Sequence, residues 1–140
     1  MCKVGDIILL EKYNHKSSEV DRHSFIVLST KNGQIGGLEY NLTCNVLSSL
    51  KNEKQKKKKL SYPGNFEIKN KDEKVIDGNS NDGYVKAEQI YYFDTSITEF
   101  RVIGMVTPEF FNDLIEFINN LKIDLEHITD NLANEVTNVG

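Results

Sequence analysis

The sequence predicts an α+β chain, a small antiparallel β-barrel followed by a C-terminal helix or helices. Three observations carry that expectation. Between Val4 and Val106, five or six short apolar runs alternate with turns rich in glycine and asparagine. Strands joined in this way favour a barrel, which hides its sheet edges by closing. From Thr107 onward the apolar residues recur every three or four positions, the period of a helix. Between these regions, Lys51 to Lys59 hold six lysines against one glutamate, a local charge of +5 in a chain of net charge −4. At 140 residues the chain fits one domain with a real core. The barrel is expected over 1–106 and the helical segment over 107–140.

The elements follow in order. Gly5-Asp6 opens a strand that runs from Val4 to Leu10 through Ile7-Ile8-Leu9-Leu10. Glu11 to Asp21 is polar and reads as a long loop. Arg22 to Ser29 reads as a second strand, with His23 at its start and apolar residues on both faces. Three glycines between Lys31 and Gly37 mark a turn, and Leu42 to Leu47 is a third strand that ends at Ser48 and Ser49. A short helix is expected in the lysine-rich insertion, beginning near Leu50. Tyr62-Pro63-Gly64-Asn65 is a turn. Lys69 to Asp82 is a polar insertion with corners at Asp77-Gly78-Asn79 and Asn81-Asp82-Gly83. Tyr84 to Phe93 and Phe100 to Val106 are strands, the first with an irregularity near Ala87-Glu88. Thr107-Pro108-Glu109 is a helix start, with a hydroxyl cap, a first-turn proline and an acid. Phe111, Leu114, Ile115, Ile118 and Leu121 form the helical stripe, and Leu125, Ile128, Leu132 and Val136 suggest a second helix or an extension.

Composition excludes some classes. No run of 18 apolar residues exists, so no membrane span is expected, and the opening Met-Cys-Lys-Val-Gly-Asp lacks the apolar stretch of a signal peptide. Cys2 and Cys44 form neither a disulfide framework nor a zinc spacing, so neither metal nor cofactor is expected and the expected location is a reducing cytoplasm. Charge is uneven along the chain. Pro108 to Gly140 contains seven acids and one lysine, whereas residues 1 to 107 are mildly positive. A nucleic acid would approach the second region and avoid the first.

The chemistry concentrates at the end of the Leu42 strand. Ser48 and Ser49 stand immediately before Lys51, and Lys54, Lys56, Lys57, Lys58 and Lys59 extend the charge. Hydroxyls fixed beside dense positive charge suit a phosphodiester better than a neutral metabolite. A solvated lysine face is the competing reading.

Several segments resemble the MazF/PemK-like toxin family. Gly5-Asp6-Ile7 is similar to its barrel-opening motif, and His23 to Ser29 to its second-strand motif, usually Arg-Pro, aliphatics, then Ser. Val46-Leu47-Ser48-Ser49 resembles its Pro-Ile/Leu-Thr-Ser. Glu88-Gln89-Ile90 with Phe93-Asp94 is similar to its Asp-Gln-Ile and later Asp, and Val102-Ile103-Gly104 to its Ile-Gly element. The resemblance runs in order over about residues 4 to 121. His23 stands where the family usually has a catalytic arginine, with Arg22 one residue earlier, and Ser24 replaces its proline. The Leu-Ser-Ser-Leu-Lys segment and the lysines look closer to the ToxN/CptN branch, which is neutralised by a structured RNA.

The resemblance implies an SH3-like, MazF-like barrel and an endoribonuclease toxin acting on RNA, not DNA. It also implies an RNA antitoxin and a ring-like assembly of toxin with RNA. Metal-independent cleavage would use the substrate's 2′-hydroxyl and leave a 2′,3′-cyclic phosphate and a 5′-hydroxyl. His23 is the acid/base candidate, because imidazole titrates near neutrality. Ser48 and Ser49 would donate to the phosphate, Lys51 would neutralise developing charge, and Arg22 is a reserve clamp. Each has a bland alternative: His23 as a strand-end hydrogen-bonder, and the serines as caps of the helix near Leu50. Tyr13, Tyr91 and Tyr92 are candidate base stackers, though aromatic residues in small barrels are more often core. Two other functions stand beside this one, a non-catalytic RNA-binding barrel and a MazF-type toxin neutralised by a protein.

Overall fold

The chain begins with a hairpin of two long strands, β1 (Asp6–His15) and β2 (Ser18–Ser29), paired from Ile7↔Ile26 to His15↔Ser18. The loop expected over Glu11 to Asp21 is therefore strand. Its polar residues mostly occupy the outer face, where Lys12 and Glu19 pair at 3.5 Å, while Tyr13 turns into the core. Lys16 and Ser17 make the turn with φ of 53° and 68°, the left-handed pair that a two-residue hairpin needs and glycine usually supplies. The C-terminal part of the chain holds this tip. Ser17 N donates to Asp130 Oδ2 at 2.8 Å, and Asn14 N donates to Asn131 Oδ1 at 2.7 Å. Asn131 Nδ2 returns a bond to the Asn14 carbonyl at 3.0 Å.

A computed structural model describes residues 1–69, 75–77 and 82–132. After β2 come the small hairpin β3 (Gly33–Ile35) and β4 (Leu38–Tyr40), then β5 (Leu42–Ser49) and helix α1 (Glu53–Leu60). Next are β6 (Asn65–Ile68), β7 (Val75–Asp77), β8 (Gly83–Lys86), β9 (Gln89–Phe93) and β10 (Arg101–Val106). Helix α2 (Pro108–Asn119) and β11 (Glu126–Ile128) follow. The main sheet runs β11-β9-β5-β2-β1-β10-β7, with β8 joining β5 to β6. Among the described residues every pairing is antiparallel except β11 with β9. The sheet is not closed: its path ends at β11 and at β7. The molecule is thus α+β with a mostly antiparallel sheet. Among the described residues no helix is long and apolar enough to cross a membrane.

Two apolar clusters use the two faces that the second strand's pattern foretells. Phe25 and Val27 join Ile8, Leu10, Tyr13, Tyr91 and Phe93 on one face. Ile26 joins Ile7, Leu47, Ile68 and Val85 on the other, covered by Phe110 and Leu114 of α2. The expected start of α2 is present: Thr107 Oγ1 accepts from Phe110 N at 3.3 Å and Pro108 opens the first turn. Tyr13 is 7% exposed and meets Phe25 and Tyr91 edge-on, at 4.9 and 5.5 Å. It is a core residue, not the RNA contact the sequence suggested.

The break expected near Ala87-Glu88 separates β8 from β9. Fully buried Asn45 secures it by donating Nδ2 to the carbonyls of Lys86, Ala87 and Gln89 at 3.3, 3.4 and 2.8 Å. The expected second C-terminal helix is instead β11, parallel to β9 through Glu126↔Gln89 and Ile128↔Tyr91. The open edge of β9 presents unpaired backbone groups, and strand pairing satisfies them where a helix would not. Ile128 and Leu132 are buried, whereas Leu125 is 38% exposed. The polar insertion also contains a strand, β7, paired with β10 at Met105↔Asp77. Gly78, Asn79 and Asn81 of the expected corners, and Val136, lie outside the described residues.

Candidate nucleic-acid interface

The site arises where β5 changes partner. From Thr43 to Val46 it pairs with β2, ending at Phe25↔Val46. Leu47, Ser48 and Ser49 then pair with Val85, Tyr84 and Gly83 of β8, while the earlier part of β2 stays with β1. The two strands part there and leave a notch of about 470 Å³. Because the notch opens at a split in the sheet, neighbours on opposite faces, His23 and Ser24, both line it. Gly83 permits the close crossing of β8 over β5, since a Cβ there would collide with the Ser48 carbonyl.

Helix α1 forms the remaining wall. It does not begin near Leu50, and neither serine caps it. Asn52 is the cap, accepting from Gln55 N at 2.8 Å, while Gln55 Oε1 accepts from Lys51 N at 2.6 Å. The spacing Asn52-x-x-Gln55 is a capping-box pattern, and here it fixes the backbone of Lys51. Glu53 in the first turn and Lys57, Lys58 and Lys59 in the last complement the helix dipole. Gln55 and Lys59 are four apart on α1 and share one stripe, and both line the notch together with Lys51, which precedes the cap.

The notch therefore gathers Arg22, His23, Ser48, Ser49, Lys51 and Lys59, with Ser24, Gln55 and Tyr84 beside them. Among the described residues no aspartate or glutamate lines it. Among the described residues, neither serine hydroxyl nor the Lys51 and Lys59 ammonium groups have a hydrogen-bond or ion-pair partner. Arg22 Nε is bound to Glu11 Oε1 across the hairpin at 2.9 Å, both exposed, a pairing of small energetic weight. His23 Nδ1 lies 3.0 Å from the Asp21 carbonyl. A carbonyl only accepts, so Nδ1 carries the hydrogen in that contact and Nε2 remains the basic nitrogen. The ring edge packs 5.7 Å from Tyr13.

The other lysines separate by helix face. Lys56 is bound to Glu67 of β6 at 3.3 Å. That hydrogen bond, and next the charge of Glu67, raise its pKa above the ordinary lysine value. Lys54 and Lys57 line a depression on the far side of α1, and Lys58 faces a groove towards Tyr62. Sequence reasoning missed Ser24, Gln55 and Tyr84 at the notch; of these, only Gln55 left a local signal, its capping distance from Asn52. A larger hollow, about 740 Å³, lies between the β1–β2 hairpin and residues 97–101. Glu11, Glu19, Glu99 and Asp130 line it against Lys12 and Arg101, a balance that repels a phosphodiester.

The fold and site together define an α+β protein whose mostly antiparallel sheet splits to form a cationic, hydroxyl-bearing notch. No protein-family model and no curated protein matches the chain.

Proposed function

We propose that the chain is an endoribonuclease that binds an RNA phosphodiester in this notch. One observation carries the reading. In a protein of net charge −4, three cationic side chains, two unpartnered hydroxyls and an imidazole line one notch, with no carboxylate among its described lining residues. Such a lining favours a polyanion and offers every group that transesterification needs. The substrate's 2′-oxygen attacks phosphorus and gives its proton to His23 Nε2. Ser48 and Ser49 donate hydrogen bonds to the non-bridging oxygens, and Lys51 offsets the charge that grows on them. In-line displacement puts the departing 5′-oxygen opposite the nucleophile, so a second group must protonate it, and the Lys51 ammonium takes that role. The P–O5′ bond breaks, leaving a 2′,3′-cyclic phosphate and a 5′-hydroxyl.

The resemblance to MazF/PemK-like toxins extends the proposal to a small SH3-like barrel acting as a toxin, restrained by a structured RNA in the manner of the ToxN/CptN branch. A mostly antiparallel sheet with a core on each face supports that reading of the fold. The deciding experiment incubates the parent and His23→Ala with single-stranded and structured RNA and analyses the new ends. Cyclic-phosphate ends from the parent and their loss in the variant are expected. Equal cleavage by both would remove His23 from the mechanism. The hydrogen bond of His23 to its own strand favours a second reading, a non-catalytic RNA-binding protein; binding without any cleavage by the parent would select it. A complex purified from its natural operon with protein as its only partner would replace the RNA antitoxin by a protein one.

A further inference from the structure

A groove of about 610 Å³ adjoins the notch and shares Lys59 and Tyr84 with it. Lys58, Lys86, Tyr62 and Glu88 also line this groove. Tyr62 is the tyrosine that stands out: it is 46% exposed, whereas Tyr13, Tyr84, Tyr91 and Tyr92 are buried. An exposed aromatic is ordinary on a surface, but this ring is held in place. The turn that carries it is fixed by Tyr62 N to the Lys59 carbonyl at 3.2 Å and Asn65 N to the Tyr62 carbonyl at 3.1 Å. Asn65 Nδ2 also binds the Lys59 carbonyl at 2.8 Å. The ring's far end lies beside Glu88, whose charge, ahead of burial, raises the phenol pKa. Gly64 makes that approach possible, since a Cβ there would lie 2.8 Å from Tyr62 Cε2 and 2.7 Å from Glu88 Oε1.

Resting on the notch as an RNA site, we infer that the groove is an adjoining subsite for single-stranded RNA: one base stacks on the Tyr62 face, and the flanking phosphates lie against Lys58, Lys59 and Lys86. Three lysines outweigh the single carboxylate of Glu88, so the groove attracts a polyanion. Every base has a π-face, so the subsite adds affinity with little sequence preference. The ring is already positioned, so little side-chain freedom is lost on binding. Lys59 and Tyr84 belong to both cavities, which makes the two a single path for consecutive nucleotides.

The test compares the parent with Tyr62→Ala, Tyr62→Phe and Lys86→Gln, using a dinucleotide and a longer single-stranded oligonucleotide. Tyr62→Ala should weaken binding of the longer RNA by about 5- to 150-fold, the range of one lost stacking contact. It should raise KM with kcat unchanged, and leave dinucleotide cleavage and Tm as in the parent. Tyr62→Phe should behave as the parent, and Lys86→Gln should flatten the salt dependence by about 0.7 logarithmic units per logarithmic unit. If Tyr62→Ala binds the longer RNA as well as a parent that cleaves it, the subsite is overturned and the notch stands. If Tyr62→Phe fails as badly as Tyr62→Ala, the hydroxyl and not the ring face acts, and stacking is refuted. A parent that neither binds nor cleaves RNA would overturn the notch reading and this one with it.

Discussion

The lysines of α1 differ in what they face, and a salt titration can read that difference. Lys51 and Lys59 line the notch, Lys56 is held by Glu67, and Lys54 and Lys57 lie on the far side of the helix. Each phosphate contact to single-stranded RNA contributes about 0.7 to the slope of log affinity against log salt. The double variant Lys51→Gln, Lys59→Gln should therefore flatten the slope by about 1.4. Between two salt concentrations that differ fivefold, its affinity should then fall about tenfold less than the parent's. Lys54→Gln with Lys57→Gln should leave the slope near the parental value, and all variants should unfold at nearly the same temperature, because exposed charges contribute little to stability. Fluorescence anisotropy of a labelled RNA across a salt series provides the measurement. An equal flattening in the Lys54, Lys57 variant would show that RNA lies along the outer face of α1 and that the notch is not its seat. Cleavage kinetics add a second reading: Lys51→Gln alone should lower kcat more than it weakens binding, since charge on the phosphate grows in the transition state.

Three further outcomes concern the scaffold. Phe25 is fully buried and meets the rings of Tyr13, Tyr91 and Phe93 edge-on, at 4.9, 5.2 and 5.5 Å. Phe25→Ala should cost about 3–5 kcal/mol, seen as a fall in the urea midpoint; a change below about 0.5 kcal/mol would take it out of the core. Asn45→Ala leaves three carbonyls around the β8–β9 break without their donor, and should cost roughly 1–3 kcal/mol. Burial, ahead of its neighbours' charges, raises the Tyr91 phenol pKa. The folded protein resists its ionisation while the unfolded chain ionises near pH 10, so stability is intact below about 10 and declines above it. Tyr91→Phe should make that alkaline decline shallower in denaturant titrations between about pH 9 and 12; an identical decline would place the titrating group elsewhere.

Much of the scaffold could be read from local pattern. The apolar residues on both faces of Arg22 to Ser29, the break at Ala87-Glu88 and the Thr107-Pro108 helix start each declare themselves within a few residues. The notch was partly legible for the same reason, because Arg22-His23 and Ser48 to Lys51 are two short segments of conspicuous chemistry. The resemblance implies that they meet, but local pattern alone does not, since the meeting depends on β5 exchanging β2 for β8. Long-range pairing also explains the misses. Glu11 to Asp21 reads as a loop because its polar residues form the outer face of a hairpin, and Tyr13 reads as available because its ring partners lie across that hairpin, His23 and Phe25, or far along the chain, Tyr91. The Leu125 to Leu132 spacing suggested a helix, but the open edge of β9, far earlier in the chain, made a strand of Glu126–Ile128. In the sequence Lys56 is equal to its neighbours, and only the fold sets Glu67 opposite it.

The clamp on the first hairpin has a consequence for the order of folding. Lys16 and Ser17 hold left-handed conformations that cost on the order of 1–3 kcal/mol each, and the bonds that hold this tip, Ser17 to Asp130 and Asn14 to Asn131, span 113 and 117 residues. Loop-closure entropy disfavours so long a connection early. The body of the hairpin can zip from Ile7 and Ile26, yet its tip stays frayed until the segment around β11 docks. Asn131→Ala should accordingly leave the refolding rate unchanged and accelerate unfolding, a φ-value near zero. The tip of the first hairpin is thus among the last parts of the molecule to be finished.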